Sequence, residues 1–285
     1  MIRRPPRSTL DRSSAASDVY KRQHVIRCFI DDDVIHVSGS VDPSRDIEII
    51  NLELALSDLN QIEKRRTRLK KQISTNKEAK LEDDVLEKLS DALENENAVR
   101  SVSLTDEEKK LIKPLGLLTE KPIIYATNLG EDELAKGNSF SEEVNTLATK
   151  EGSECVKISA QVEAELIELG EEEREDYLNG LGVEEGGLIS LIKATYRLLG
   201  LSTYFTTGEK ETKAWTISDG MTAPQAAGVI HTDFEKGFIR AQTISYKKLL
   251  EAGSLVEARN KGWLRSEGKE YVVNEGDVME FLFNV

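Results

Sequence analysis

Asn128 and Glu131 are the residues whose type and spacing point most directly to chemistry. They follow the β-prone run 123–126. In nucleotide-binding loops of the GTPase type, an Asn at this place braces the site, and a short Asp three residues later accepts two hydrogen bonds from guanine. Here the carboxylate is one methylene longer, and Leu129 stands where a Lys is common. Adenine has one exocyclic amino group and no N1 proton, so the altered pair favours adenine over guanine.

A second polar loop repeats this design further along the chain. The run 155–158 is followed by Ser159 and Ala160, and then by a helical pattern with Val162 and Leu166. Strand, loop and helix in alternation predict a doubly wound α/β fold, in which ligands bind beyond the carboxyl ends of the strands. We therefore expect both polar loops to border one crevice.

The parts that hold a triphosphate are not found in these 285 residues. The motif G-x-x-x-x-G-K-[ST] does not occur, and neither does Asp-x-x-Gly. The tripeptides at 208–210 and 268–270 have neither the spacing nor the Ser or Thr that would hold Mg²⁺. Because phosphoryl transfer depends on those parts, the sequence predicts that this chain alone does not hydrolyse a nucleotide.

The amino-acid composition of the chain argues against several classes of function. The chain has 32% charged residues, 39% apolar residues and a net charge of −14. No stretch approaches the roughly 18 consecutive apolar residues of a membrane span, and the acidity disfavours general nucleic-acid binding. The two cysteines are too few for a disulfide scaffold, which favours a reducing compartment.

The first 23 residues differ from the rest, with six basic residues, two acidic ones and no apolar periodicity. We interpret residues 1–23 as a non-native, disordered leader that resembles translated adaptor sequence. An organelle transit peptide is the alternative for an Arg- and Ser-rich segment.

Helical spacing dominates the region before the first polar loop. A β-prone run at 24–30 leads into Asp31, Asp32 and Asp33, for which we expect a solvated loop rather than a metal site. Apolar residues spaced at three and four predict amphipathic helices over 46–73 and 81–93, which would form an antiparallel hairpin. The basic run 64–71 is expected to be a solvated helix face, with RNA contact as the alternative. Thr105 and Glu108 predict a capping box.

After Gly200 the composition changes, and aromatic and β-branched residues become frequent. The pattern there predicts a small α+β module with a helix over 246–258. Its expected strands are 203–206, 214–217, 238–244, 271–273 and 278–283. His231, Asp233 and Glu235 alternate, and in an extended chain they would share one face as a metal triad. We favour a structural role for them.

From His24 to Val285 the sequence resembles the YchF / Obg-like ATPase family. Four stretches carry the resemblance: the run HVIRCFIDDDVIHVSGSVDPSRDIEIINLELALSDL, the N-L-G-E loop, AWTISDGMTAPQAAGVIHTDFEKGFIRAQTIS, and the terminal EGKEYVVNEGDVMEFLFNV. The resemblance implies a partial P-loop NTPase G domain, of α/β class, at 24–48 and 114–200. It further implies an inserted helical coiled-coil arm at 49–113 and a C-terminal TGS domain of ubiquitin-like β-grasp fold at 201–285.

The resemblance also implies roles for single residues. ATP is expected to be preferred over GTP through Asn128, Leu129 and Glu131, with Ser159 and Ala160 in the neighbouring base-contact loop. His36 matches a loop histidine proposed to orient the attacking water. No metal ligand is assigned in this chain, since the ligands of Mg²⁺ would belong to a part of the G domain that it does not contain.

The expected partner is the ribosome, as its large subunit or as the 70S or 80S particle, with contacts to rRNA or tRNA. The TGS surface expected to make this contact is a group of four cations, Lys236, Arg240, Lys247 and Lys248. Neither membrane nor DNA is an expected partner. The resemblance implies a cytoplasmic location, with an organelle as the alternative.

Two function hypotheses follow. The first is the C-terminal portion of a ribosome-associated ATPase. The second is a non-catalytic ribosome or RNA adaptor that acts through the helical arm and the TGS domain. A third outcome, unstable folding of the first half, would follow if a long sheet edge were left exposed.

Overall fold

The apolar runs in the first part of the chain pair as a parallel sheet. The computed structural model describes residues 22–31, 33–34, 39–208 and 211–284. Within that part, β1 (Arg22–Arg27), β2 (Ile123–Asn128) and β3 (Glu154–Ile158) lie in the order β1-β2-β3, with both pairings parallel. The central strand is buried from Ile123 to Thr127, as expected where helices cover both faces. The strand predicted over 24–30 runs instead from Arg22 to Arg27, so the last two residues of the segment interpreted as a disordered leader pair with β2.

Helices connect and extend these strands. Asn138 caps the helix between β2 and β3, and Ser159 caps the helix after β3. The acidic stretch 168–176, for which no helix was predicted, lies largely in a helix of its own. The helices of this part are α1 (Pro43–Leu69), α2 (Lys77–Glu94), α3 (Asp106–Ile112), α4 (Ser139–Glu151), α5 (Ala160–Glu168), α6 (Glu171–Leu181) and α7 (Gly187–Leu199).

α1 and α2 form the helical hairpin that the apolar spacing predicted. Buried leucines and isoleucines of both helices share one core cluster. Arg65 makes a two-pronged ion pair with Glu82, at 2.6 and 2.8 Å, and Arg66 pairs with Asp83 at 2.9 Å. These two arginines of the basic run therefore face carboxylates of α2 and are not an open cationic surface.

Asp58 ties the hairpin to the segment that leads back to the sheet. Its carboxylate is fully buried and accepts hydrogen bonds from the backbone N–H of Leu118 at 2.8 Å and of Thr119 at 2.7 Å. The Thr119 hydroxyl donates a third bond at 2.7 Å. Earlier in the same segment, α3 begins with the predicted capping box of Thr105 and Glu108.

A second compact unit begins at Thr195, and the first ends at Ala194. The described strands of the second unit are β4 (Leu201–Thr207), β5 (Thr212–Ser218), β6 (Phe238–Ser245), β7 (Arg265–Glu267) and β8 (Asp277–Phe283). They form a mixed sheet with the order β5-β4-β8-β6-β7. β4 pairs with β5 antiparallel and with β8 parallel.

The helices of this unit depart most from the sequence predictions. The helix expected over 246–258 is two helices, because Gly253 between them has a left-handed backbone with φ +76°. Two helices before β6 were not predicted. The helices are α8 (Ala223–Ile230), α9 (Thr232–Lys236), α10 (Tyr246–Ala252) and α11 (Leu255–Asn260).

One further prediction for this unit is wrong, and the metal-triad alternative loses its premise. The expected strand at 271–273 makes only an isolated bridge between Thr222 and Val272, while β7 was missed. The extended chain assumed for His231, Asp233 and Glu235 is instead the start of α9, where the His231 ring accepts a hydrogen bond from the backbone N–H of Asp233 at 3.2 Å. The three residues therefore do not alternate along one face of an extended strand, although His231 Nδ1 and the Asp233 carboxylate lie 3.4 Å apart.

Candidate nucleotide site

A cleft of about 870 Å³ opens beyond the carboxyl ends of the three parallel strands. One wall is the segment after β1, the floor is the loop after β2, and the opposite side is the start of α5. Its lining includes Phe29, Ile30, Asp31, Val34, Asn128, Leu129, Gly130, Glu131, Asp132, Glu133, Asn138, Ser139, Phe140, Ala160 and Gln161. This is the edge at which a doubly wound sheet binds its ligand.

Asn128 joins the two polar loops, as the repeated strand and loop pattern predicted. Its side-chain oxygen accepts a hydrogen bond from the backbone N–H of Ala160 at 2.9 Å. Its backbone carbonyl accepts from the N–H of Cys28 at 2.8 Å, so it also holds the end of β1. One residue therefore fixes three segments of the cleft relative to one another.

Glu131 begins a short 3-10 turn, Glu131–Glu133, directly after Gly130. Its Oε1 accepts a hydrogen bond from the hydroxyl of Tyr177 at 3.0 Å. The same hydroxyl lies within hydrogen-bonding distance of Glu165. The contact with Glu165, together with burial and the bond to Glu131, raises the pKa of the Tyr177 phenol, so it keeps its proton at neutral pH.

The side chains of Leu129 and Ser159 face inward. Leu129 borders the cleft, but it is only 2% exposed and belongs to the core cluster of the parallel sheet. Its backbone N–H donates to the carbonyl of Ile158 at 2.8 Å. Ser159 is 1% exposed, and its hydroxyl accepts from the N–H of Val162 at 3.5 Å as the cap of α5. Both residues shape the loops, while Ala160 is exposed at the cleft.

Arg27 holds the wall that follows β1. Its guanidinium donates to the backbone carbonyls of Phe29 at 3.1 Å, Asp31 at 3.1 Å and Val34 at 2.9 Å, and it lies 4.7 Å from the centre of the Phe29 ring. A single planar cation thus organises the apolar side of the cleft. The proposed catalytic residue His36 lies outside the described residues.

The structure does not gather the four cations predicted for ribosome contact. All four are exposed. Lys236 ends α9, Arg240 lies near the start of β6, and Lys247 and Lys248 are in the first turn of α10. Lys236 and Lys247 therefore lie at opposite ends of the eight-residue strand β6, which spans about 25 Å.

Sequence reasoning missed three residues that organise the cleft, Tyr177, Arg27 and Asn138. The side chain of Asn138 donates to the carbonyl of Cys28 at 2.6 Å and to Glu133 at 2.8 Å. A capping pattern could have identified Asn138, since an Asn before a helix is a common cap. No local pattern marks Tyr177, whose contact with Glu131 spans 46 residues.

In the part of the chain that the structure describes, no group of three or more His, Cys, Asp or Glu side chains is placed to hold a metal ion. None of the helices described is long and apolar enough to cross a membrane.

Comparison with known proteins finds several close relatives. The family model YchF-GTPase_C, described as "Protein of unknown function (DUF933)", matches residues 201–284. The protein named ribosome-binding ATPase YchF from Bacillus subtilis (strain 168) is 51% identical over 265 residues, which cover 92% of this chain and 72% of the relative. Its namesake from Escherichia coli O157:H7 is 51% identical over 263 residues, with the same coverage.

Solved structures agree with these relatives. The Schizosaccharomyces pombe YchF GTPase superposes with a TM-score of 0.78 at 35% identity, covering 95% of this chain and 74% of that one. A GTP-binding protein from Pyrococcus horikoshii OT3, with a TM-score of 0.53 at 19% identity, covers 92% of this chain and 78% of its own. That second likeness concerns the fold alone.

The parallel sheet, its helices and the cleft beyond the strands place the fold in the P-loop GTPase-like α/β class. With half of its residues identical to relatives of which it spans 72%, the chain belongs to the YchF family.

Proposed function

We propose that this chain is part of a ribosome-associated ATPase whose first unit reads the adenine base of ATP. The observation that carries the proposal is the hydrogen bond between Asn128 and the N–H of Ala160, which brings the two polar loops to one cleft beside Glu131. The names of the relatives, ribosome-binding ATPase, support the reaction and the partner.

Base preference is proposed to come from Glu131. A carboxylate accepts hydrogen bonds and donates none when ionised. Adenine presents one amino group to such an acceptor, whereas guanine presents two donors side by side. Because the loop carries Glu in place of the shorter Asp, the carboxylate lies one methylene further from the backbone. We expect it to accept the single donor of adenine in preference to the two donors of guanine.

Hydrolysis is proposed to need parts that the described residues do not supply. Mg²⁺ would accompany the phosphates of ATP, but the described residues offer no ligand cluster for it. His36 is proposed to orient the attacking water. We expect no ATP turnover by this chain alone, because the two phosphate- and metal-side motifs are not among its 285 residues.

Nucleotide titration tests the base assignment. Isothermal calorimetry of the full chain with ATP and with GTP gives the ratio of the two affinities. Glu131→Asp is expected to shift this ratio toward GTP by about tenfold, which corresponds to roughly 1.4 kcal/mol. Glu142→Asp, on an exposed position of α4, is the matched control and should leave the ratio unchanged. A ratio that Glu131→Asp does not move would refute base reading by this residue.

The second unit is proposed to contact the ribosome as a TGS-type β-grasp domain in the cytoplasm. The antiparallel pair of β4 and β5 and the parallel pair of β4 and β8 support that fold. Lys247 and Lys248, which are adjacent and exposed, are the two of the four cations that we propose as a contact. Ribosome co-sedimentation at two salt concentrations tests them, since the double charge reversal to Glu should weaken binding most at low salt.

A further inference from the structure

Tyr177 touches the carboxylate that the proposed function assigns to base reading. Its hydroxyl is placed to donate to Glu131 Oε1 at 3.0 Å and also to Glu165 on α5, which is the shorter of the two contacts. Neither the motif of the loop nor the resemblance of the sequence gives Tyr177 a role. The contact joins the loop after β2 to a helix that begins 40 residues later along the chain.

The position of this hydroxyl is fixed from two directions. The Tyr177 ring packs in a cluster with Leu134, Val162 and Leu166, which places α6 against both the cleft loop and α5. Arg174, one turn earlier on α6, donates to the carbonyl of Leu166 at 2.6 Å. The packed ring and the tethered helix hold the hydroxyl beside the Glu131 carboxylate.

We propose that Tyr177 is a specificity-determining residue, which occupies one carboxylate oxygen of Glu131 and leaves the other as the single acceptor for a purine amino group. This inference rests on the proposed function, in which Glu131 reads the base. Among the described residues, Tyr177 is the one seen to bond the Glu131 carboxylate.

The chemistry of the two purines gives the direction of the effect. A carboxylate with both oxygens open accepts two parallel N–H groups, which is the pattern that guanine offers. When one oxygen already accepts the phenol proton, it is a weaker acceptor for a second donor in the same plane. Guanine then loses one of its two hydrogen bonds, whereas adenine needs only one. Tyr177 should therefore weaken the binding of GTP more than it strengthens the binding of ATP.

A substitution at Glu165 tests the proposal in the opposite direction, because it should favour the hydrogen bond from Tyr177 to Glu131. A phenol has one proton, so at any moment Tyr177 donates either to Glu131 or to Glu165. Glu165→Gln removes the competing charge, and the amide can donate to the phenol oxygen, so the phenol proton is directed to Glu131. This change should keep or increase the preference for ATP, while Tyr177→Phe should reduce it.

The experiment is calorimetry of the full chain with ATP and with GTP. Tyr177→Phe is expected to lower the ratio of ATP to GTP affinity about fivefold, the size of one net hydrogen bond, chiefly by tightening GTP. Tyr196→Phe is the matched control, because it removes a hydroxyl bonded to Thr216 in the second unit. Its ratio should equal that of the wild-type chain.

Each result decides. An unchanged ratio in Tyr177→Phe, with a lowered ratio in Glu131→Asp, overturns the role of Tyr177 and leaves the proposed function standing. A wild-type chain that does not prefer ATP, or binds neither nucleotide at millimolar concentration, overturns both. Should Tyr177→Phe lose its native circular dichroism, Glu165→Gln decides alone, and a lowered ratio in that variant overturns the proposal.

Discussion

Removing the Asp58 carboxylate should destabilise the first unit strongly. Asp58 is fully buried, and it accepts from two backbone N–H groups and one hydroxyl. In Asp58→Ala these donors lose their acceptor inside the protein. A buried donor without a partner costs roughly 1–3 kcal/mol. Thr119 is buried and Leu118 is half-buried, so we expect a total loss of about 3–5 kcal/mol in the free energy of unfolding.

The chain offers a convenient assay for this loss. Both tryptophans, Trp215 and Trp263, lie in the second unit, so their fluorescence reports on that unit alone. Urea unfolding followed by far-ultraviolet circular dichroism reports the helices of the first unit as well. Asp58→Ala should shift the circular dichroism transition to lower urea and leave the fluorescence transition in place.

Two controls sharpen the result. Thr119→Val removes only the hydroxyl and should cost about 1 kcal/mol. Asp58→Asn keeps one carbonyl acceptor and should fall between the two variants. A loss below about 1 kcal/mol in Asp58→Ala would refute the idea that this carboxylate anchors the hairpin to the segment that leads back to the sheet. An equal shift of both transitions would contradict the expectation that the effect is confined to the first unit.

Three further outcomes are expected. Leu129→Lys should destabilise the first unit by more than about 3 kcal/mol in urea unfolding, because it places an ammonium in the core; a soluble, equally stable variant would show that this side chain is not buried. Burial raises the pKa of the Cys28 thiol to about 12, so native protein at pH 8 should react with Ellman's reagent far more slowly than protein in urea. Equal rates would contradict this expectation. Burial and the nearby Asp58 raise the pKa of Glu120, so the ionised Glu120 side chain destabilises the folded state as the pH rises. Glu120→Gln should therefore be more stable than wild type at pH 7, and the difference should vanish below about pH 4.

Features encoded by neighbouring residues were predicted well. The capping box at Thr105 and the strand that ends at Ile158 depend on patterns a few residues long, and the structure shows both. The Asn128 and Ala160 loops were also expected to meet, because parallel strands end at one edge of a sheet.

Features set by distant contacts were not predicted. The β-prone residues 271–273 make only one isolated bridge, because sheet pairing decides which extended segment becomes a strand. α6 has few apolar residues, and its start carries three consecutive glutamates, so no local pattern indicates that Tyr177 lies beside Glu131. The role of His36 stays a prediction.

The continuity of α1 has a mechanical consequence. This helix runs without a break for 27 residues, from Pro43 beside the cleft segments to Leu69 at the far end of the hairpin, a length of about 40 Å. A rod of that length turns a small rotation into a large displacement. A tilt of about 5° at its base would carry the hairpin tip through about 3.5 Å. The hydrogen bonds of Asp58 hold α1 only 11 residues short of that tip, so the same tilt about Asp58 would carry the tip through only about 1.4 Å.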